Sequence, residues 1–277
     1  SSSDSSPADL AGECLLDWTE TLLDTRSGWT PAHQGESGDR VFRRIDGQRY
    51  AKLAQGPRAA ELAGERDRLQ WLAGKGIACP APLGWHANDD GACLTMSALP
   101  GVPAATLSGP DLLEAWPSMA ESLAAFHALP VAGCPFTKDL SGMVARAADV
   151  VARGAVNPDF LAAEDRDVPA RDLLARVEAE LPLRLAQEAE ERAVCHGDPC
   201  MPNFMVDPAT LRCTGLIDLG RLGTADRYAD LTLMLANARE TWGTEDEASS
   251  AFDILFATMQ IEAPDRERLD LYLRLDP

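Results

Sequence analysis

The sequence predicts an α+β chain in two lobes, a small β-rich lobe followed by a larger, mainly helical one. Three observations predict it. β-prone runs with turn signals crowd residues 41–54 and 91–99. A Pro100-Gly101 pair breaks the chain directly after the second run. From Ser108 onward, apolar residues recur mostly at helical spacing. The expected divisions are a tail and first helix over 1–28, the sheet-rich lobe with its exit strand over 29–99, and the helical lobe over 100–277.

Length and composition agree with this. A chain of 277 residues exceeds what one small core needs, and 45% apolar with 25% charged residues is an ordinary globular balance. No apolar run approaches a membrane span. The opening "SSSDSSPADL" lacks the basic start and apolar core of a signal peptide. It reads as a disordered tail on a trimmed or engineered start, and the expected location is the cytoplasm.

The seven cysteines (Cys14, Cys79, Cys93, Cys134, Cys195, Cys200 and Cys213) are odd in number and scattered, which argues for free thiols in a reducing compartment. Zinc on Cys195, His196, Cys200 and Cys213 is disfavoured, because adjacent residues of a strand point to opposite faces. The formal charge of −19 disfavours nucleic acid and anionic membrane as partners and favours a cationic ligand.

In the front lobe, "VFRRIDGQRYAKLA" reads as two strands about Asp46-Gly47, a pair suited to a type I′ turn. Lys52 falls within the second strand. Upstream, "QGESGD" carries Gly35 and Gly38, which let backbone approach a phosphate closely. "RAAELAGERDRLQWLAGKG" reads as a helix ended by Gly74 and Gly76. Leu62, Leu69 and Leu72 share one face, and Glu65 sits among them. A carboxylate there is costly unless paired, and Lys52 is the candidate partner. "GACLTMSALPGVPA" reads as a strand turning into a linker, whose backbone could meet an adenine.

In the back lobe, Asp111 to Leu129 reads as a helix that His127 closes in a structural role. Asn157 to Pro169 is an acidic loop suited to substrate contacts. "DLLARVEAELPLRLAQE" is a further helix, expected to break near Pro182. "RAVC" reads as a strand and "HGDPCMPN" as a loop. Phe204 to Val206 and Cys213 to Ile217 form a hairpin that delivers Asp218. Asp198, Asn203 and Asp218 thus cluster at the ends of two linked strands. That set suits phosphoryl transfer: two hard oxygen donors for magnesium, and a carboxylate to orient an attacking hydroxyl. H-G-D alone is a weak signal. H-G-D-x-x-x-x-N followed by strand, turn, strand and I-D-L-G, with a strand Lys and a helix Glu upstream, is a strong one.

"HGDPCMPNFMVDPATLRCTGLIDLGRLGTADRYADL" resembles the aminoglycoside phosphotransferase family, and most of all its streptomycin 3''-phosphotransferase branch. "GESGDRVFRR", "ELAGERDRLQWL", "AWPSM", "AVNPDF" and "APDRERL" carry the closer match, which spans nearly the whole chain after about residue 30. The resemblance implies a protein-kinase-like bilobal fold using ATP and Mg2+. It implies that Lys52 grips the α- and β-phosphates and that Glu65 holds Lys52. The loop around Ser37 then covers the triphosphate, and Ser97 to Leu99 form the adenine hinge. Asp198 matches the catalytic aspartate, Asn203 and Asp218 the magnesium ligands, and Arg221 an arginine near the phosphates. Glu240 and Asp276 match carboxylates that line the substrate cleft.

Relative to protein kinases, His196-Gly197-Asp198 replaces H-R-D and Leu219 replaces the Phe of D-F-G. No A-P-E segment follows Gly220, so the usual peptide platform is missing and a small cationic substrate such as streptomycin is expected, with no protein partner. Two other readings stand beside this one. One is a kinase of another aminoglycoside, a macrolide or a choline-like molecule. The other is a nucleotide-binding pseudokinase, which the intact Lys52, Glu65, Asp198, Asn203 and Asp218 set argues against.

Overall fold

The computed structural model describes residues 18–24, 28–32, 39–158, 161 and 165–275. Ser37, Asp276 and part of the acidic loop lie outside the described residues. The chain divides into two compact units, one ending at Leu99 and the other beginning at Pro100.

The first unit is an antiparallel five-stranded sheet in the order β1-β2-β3-β5-β4. Its strands are β1 (Trp29–Pro31), β2 (Arg40–Arg44), β3 (Arg49–Ala54), β4 (Pro82–Asn88) and β5 (Gly91–Ser97). Alternation splits β3 between its faces. Ala51 and Leu53 are buried with Leu22, Phe42 and Cys93, while Lys52 points the other way. Helix α1 (Pro57–Leu72) follows, with Pro57 in its first turn, and it buries Leu62, Glu65, Leu69 and Leu72. It packs on β3 and β5.

The turn about Asp46-Gly47 is not type I′. That type needs positive φ at both central residues, and only Gly47 has it. Four residues span β2 to β3 instead. The Gly47 amide donates to Arg44 O, and Asp46 Oδ1 accepts the Gln48 amide at 2.8 Å. The Asp46 side chain thus closes a wider loop.

The second unit holds β6 (Val102–Pro103), α2 (Gly109–His127), α3 (Leu140–Ala152), α4 (Ala170–Glu191), β7 (Arg192–Cys195), β8 (Phe204–Asp207), β9 (Arg212–Leu216), β10 (Gly223–Asp226), α5 (Arg227–Ala238), α6 (Glu245–Thr258) and α7 (Arg266–Arg274). Two small sheets, β10-β7 and β6-β8-β9, hold the turns that matter for chemistry. The β8–β9 hairpin pairs Phe204 with Leu216 and slips register between Met205 and Val206.

The expected break at Pro182 is absent, since α4 runs 22 residues straight through it. Pro182 lies on the exposed face, where water can satisfy the carbonyl it leaves unpaired. The buried face of Leu173, Val177, Arg184 and Glu188 holds the helix on either side.

Candidate active site

In the first unit, Lys52 Nζ lies 2.8 Å from Glu65 Oε2 and 3.8 Å from Asp39 Oδ2. Burial explains the placement. Glu65 is only 3% exposed on the α1 face that covers the sheet, so its charge needs the Lys52 ammonium. Asp39 is also held by Arg58 Nε at 2.8 Å. The sequence reading missed Asp39 as a second partner of Lys52. Its signal was position alone, since β2 runs beside β3 with Val41 opposite Lys52.

At the end of this unit, Ser97 spends both amide and hydroxyl on Ala81. The Ala98 amide donates to Gln48 O at 2.9 Å. Among the described residues, Leu99 carries the first amide of the expected hinge that no such bond engages, and Pro100 has none to offer.

In the second unit, β7 delivers His196, Gly197 and Asp198. Gly197 has φ +89, and a Cβ there would collide with the Arg221 carbonyl, so only glycine fits. Asp198 O accepts from Cys200 N and Asn203 Nδ2, each at 2.8 Å. Asp198 Oδ1 accepts from the Cys200 thiol at 3.0 Å, and Oδ2 lies 3.7 Å from Arg221 Nη1. Asn203 is buried. With its amide nitrogen given to Asp198 O, its side-chain oxygen is the acceptor end that remains.

His196 ties this loop to the next. The Asp198 amide donates to His196 Nδ1 at 3.2 Å, so Nδ1 is an acceptor and Nε2 carries the proton given to Ile217 O at 3.0 Å. Burial lowers the His196 pKa, which favours this neutral ring. The Ile217 amide in turn donates to Asn203 O at 2.9 Å. Asp218 follows in the left-handed region at φ 63, ψ 61. Aspartate tolerates that conformation better than most residues, and the bonds on both sides of Ile217 hold it.

Helix α5 supports the loop from behind. Asp230 is fully buried and accepts the His196 amide at 2.8 Å on Oδ2 and the Gly197 amide at 2.9 Å on Oδ1. His127 Nε2 also lies 3.0 Å from Asp230 Oδ2. Burial alone would push the Asp230 carboxyl up. The His127 hydrogen bond and charge, with the Gly197 amide, outweigh it and hold the carboxyl below its ordinary range. Two turns further on, Asn237 Oδ1 accepts the Met201 amide at 2.7 Å. Sequence reading singled out neither Asp230 nor Asn237. The seven-residue spacing, which places both on one helix face, was the available signal.

Glu240 is exposed on a short 3-10 turn after α5. In the acidic loop, Asp165 is 3% exposed and is taken by Arg274 Nε at 3.0 Å and by Arg176 Nη1 at 3.7 Å. It anchors α7 and is not open to a ligand, whereas Asp167 is exposed.

Residues 28–272 match the sequence profile of the phosphotransferase enzyme family. The chain belongs to that family. It is 51% identical to the streptomycin 3''-kinase of Streptomyces griseus over 94% of this chain and 95% of the relative. It is 38% identical to the aminoglycoside 3'-phosphotransferase of Streptomyces fradiae, over 90% and 94%. Among solved structures it resembles the aminoglycoside phosphotransferase APH(3'')-Id of Streptomyces rimosus in complex with ADP and streptomycin. That match has a TM-score of 0.84 and 44% identity, covering 95% of this chain and 96% of the other.

For a phosphotransferase, each unit by itself carries groups suited to the chemistry. The first offers an ammonium steered by carboxylates, and such a group can meet phosphate oxygens as a point charge. The second offers the oxygens of Asn203 and Asp218, hard donors of the kind magnesium takes, and a half-buried Asp198 carboxylate. Among the described residues, no helix is long and apolar enough to cross a membrane.

Proposed function

We propose that this enzyme transfers the γ-phosphate of ATP to the 3''-hydroxyl of streptomycin, and that it does so in the cytoplasm, where ATP is available. The observation that carries the reading is the His196-centred network, which holds Asp198, Asn203 and Asp218 on one framework. The choice of acceptor is supported by the similarity to the Streptomyces griseus kinase and by the ADP and streptomycin complex of the Streptomyces rimosus enzyme.

In this reading Lys52, oriented by Glu65, grips the α- and β-phosphates. The oxygens of Asn203 and Asp218 would hold Mg2+, which would supply positive charge against that of the transferring phosphoryl. Asp198 orients the 3''-hydroxyl and accepts its proton. A weak base suffices, because the transition state is loose and positioning does most of the work. Arg221, near Asp198, adds positive charge on the phosphate side. Glu240 and the exposed Asp167 are the described carboxylates that would attract guanidinium groups of the substrate.

The test is ADP release by purified protein with ATP and magnesium across a panel of aminoglycosides, a macrolide and choline. Phosphorus–proton correlation NMR of the product then locates the phosphate. Turnover of streptomycin to its 3''-phosphate is expected. Good turnover of kanamycin-type compounds with none of streptomycin would move the enzyme to the 3' branch. Nucleotide binding without any acceptor would make it a pseudokinase.

A further inference from the structure

We propose that Lys138, in the segment between α2 and α3, is a positioning residue for Asp198. The inference rests on the assignment of Asp198 as the base. The chain has only three lysines: Lys52 meets Glu65, Lys75 lies over Trp71, and Lys138 reaches the H-G-D loop.

Its backbone is registered against the strands that feed the loop. The Thr224 amide donates to Phe136 O at 2.9 Å, and the Lys138 amide donates to Thr224 O at 3.0 Å. Thr137 bridges to Thr224 in parallel. Thr224 lies on β10, which pairs with β7 so that Gly223 faces Cys195. From this fixed base the half-buried Lys138 side chain extends to Gly197, and its ammonium donates to the Gly197 carbonyl.

That carbonyl belongs to the peptide unit that enters Asp198. The N–H of the same unit donates to His196 Nδ1. A peptide plane held at both polar atoms cannot rotate, so the direction in which the Asp198 side chain leaves the backbone is set. The constraint matters here because the preceding residue is glycine, which by itself allows many orientations. Asp230 fixes the Gly197 amide on one side, and Lys138 fixes its carbonyl on the other. A charged ammonium at the end of a long apolar stem suits this task, since a bond to a charged group is stronger than one between neutral groups.

The experiment compares Lys138→Arg, Lys138→Gln and Lys138→Met with wild type and Asp198→Ala. Turnover is expressed per molecule that binds ADP by calorimetry, so a partly unfolded preparation is not mistaken for a slow one. Lys138→Met should lower kcat by about 10- to 100-fold, the scale of a misplaced catalytic group, with KM for ATP and streptomycin within about 2-fold. Lys138→Gln should fall between, and Lys138→Arg should recover most of the turnover. Wild-type kcat in Lys138→Met would overturn the inference. So would a rise in KM at unchanged kcat, equal turnover in all three variants, or a loss of ADP-binding protein with normal turnover in what is left. If Asp198→Ala itself turns over normally, the assignment of the base fails first, whatever the lysine variants do.

Discussion

His196 Nε2 donates to Ile217 O across 3.0 Å, so one imidazole joins the loop of Asp198 to the residue before Asp218. Only the neutral ring can do this while its Nδ1 accepts from the Asp198 amide. The ring is fully buried, and burial lowers its pKa from the ordinary 6.5. The unfolded chain therefore binds a proton near pH 6.5 that the folded chain refuses. This contribution to stability is fully present above about pH 6.5 and is lost as pH falls from there toward the folded value, with a limiting slope of about 1.4 kcal/mol per pH unit. His196→Asn should flatten that slope. Denaturant melts of both proteins between pH 5 and 8 measure it, and equal slopes would remove His196 as the titrating group.

Lys52 and Glu65 should behave as one unit. Lys52→Ala and Glu65→Ala are each expected to reduce kcat/KM for ATP. The double variant should do little worse than the poorer single, a coupling of roughly 1–3 kcal/mol. Steady-state kinetics over the four proteins measures the cycle. Simple additivity would separate the two residues energetically despite their 2.8 Å contact.

Asp198→Ala should lower kcat by about 10²-fold or more while leaving ADP affinity close to wild type. Stopped assays paired with calorimetry distinguish lost chemistry from lost binding.

Asp230→Ala strands two buried amides, those of His196 and Gly197. A destabilisation of about 3 kcal/mol is expected, with kcat falling as well, because the loop it holds carries Asp198. Its depressed pKa adds a pH signature. The stabilising share is present above the unfolded value near 3.9 and is lost as pH falls through the lower folded value. Urea melts at neutral and acid pH should show the gap between wild type and variant narrowing in acid.

Streptomycin recognition should be ionic. Raising salt from about 0.05 to 0.5 M is expected to raise KM for streptomycin several-fold and to change kcat much less. Substituting Glu240 should weaken this dependence, whereas substituting Asp165 should lower the melting temperature, since its carboxylate is already paired with Arg274.

The sequence by itself determined the parts written in short-range order. The H-G-D-x-x-x-x-N spacing, the strand carrying Lys52 and the leucine face carrying Glu65 are each encoded within a few turns or one hairpin. At that range side-chain direction follows from helix and strand periodicity. The family followed from the same stretches. Only the tertiary structure decided which distant groups complete them. Asp230 reaches back 34 residues to His196, Lys138 forward 59 to Gly197, and Asp165 across 109 to Arg274. These are bonds from side chains to backbone amides and carbonyls or to another charge. They have no period, they leave no pattern on either segment, and they exist only once buried polar groups must find partners inside the folded chain.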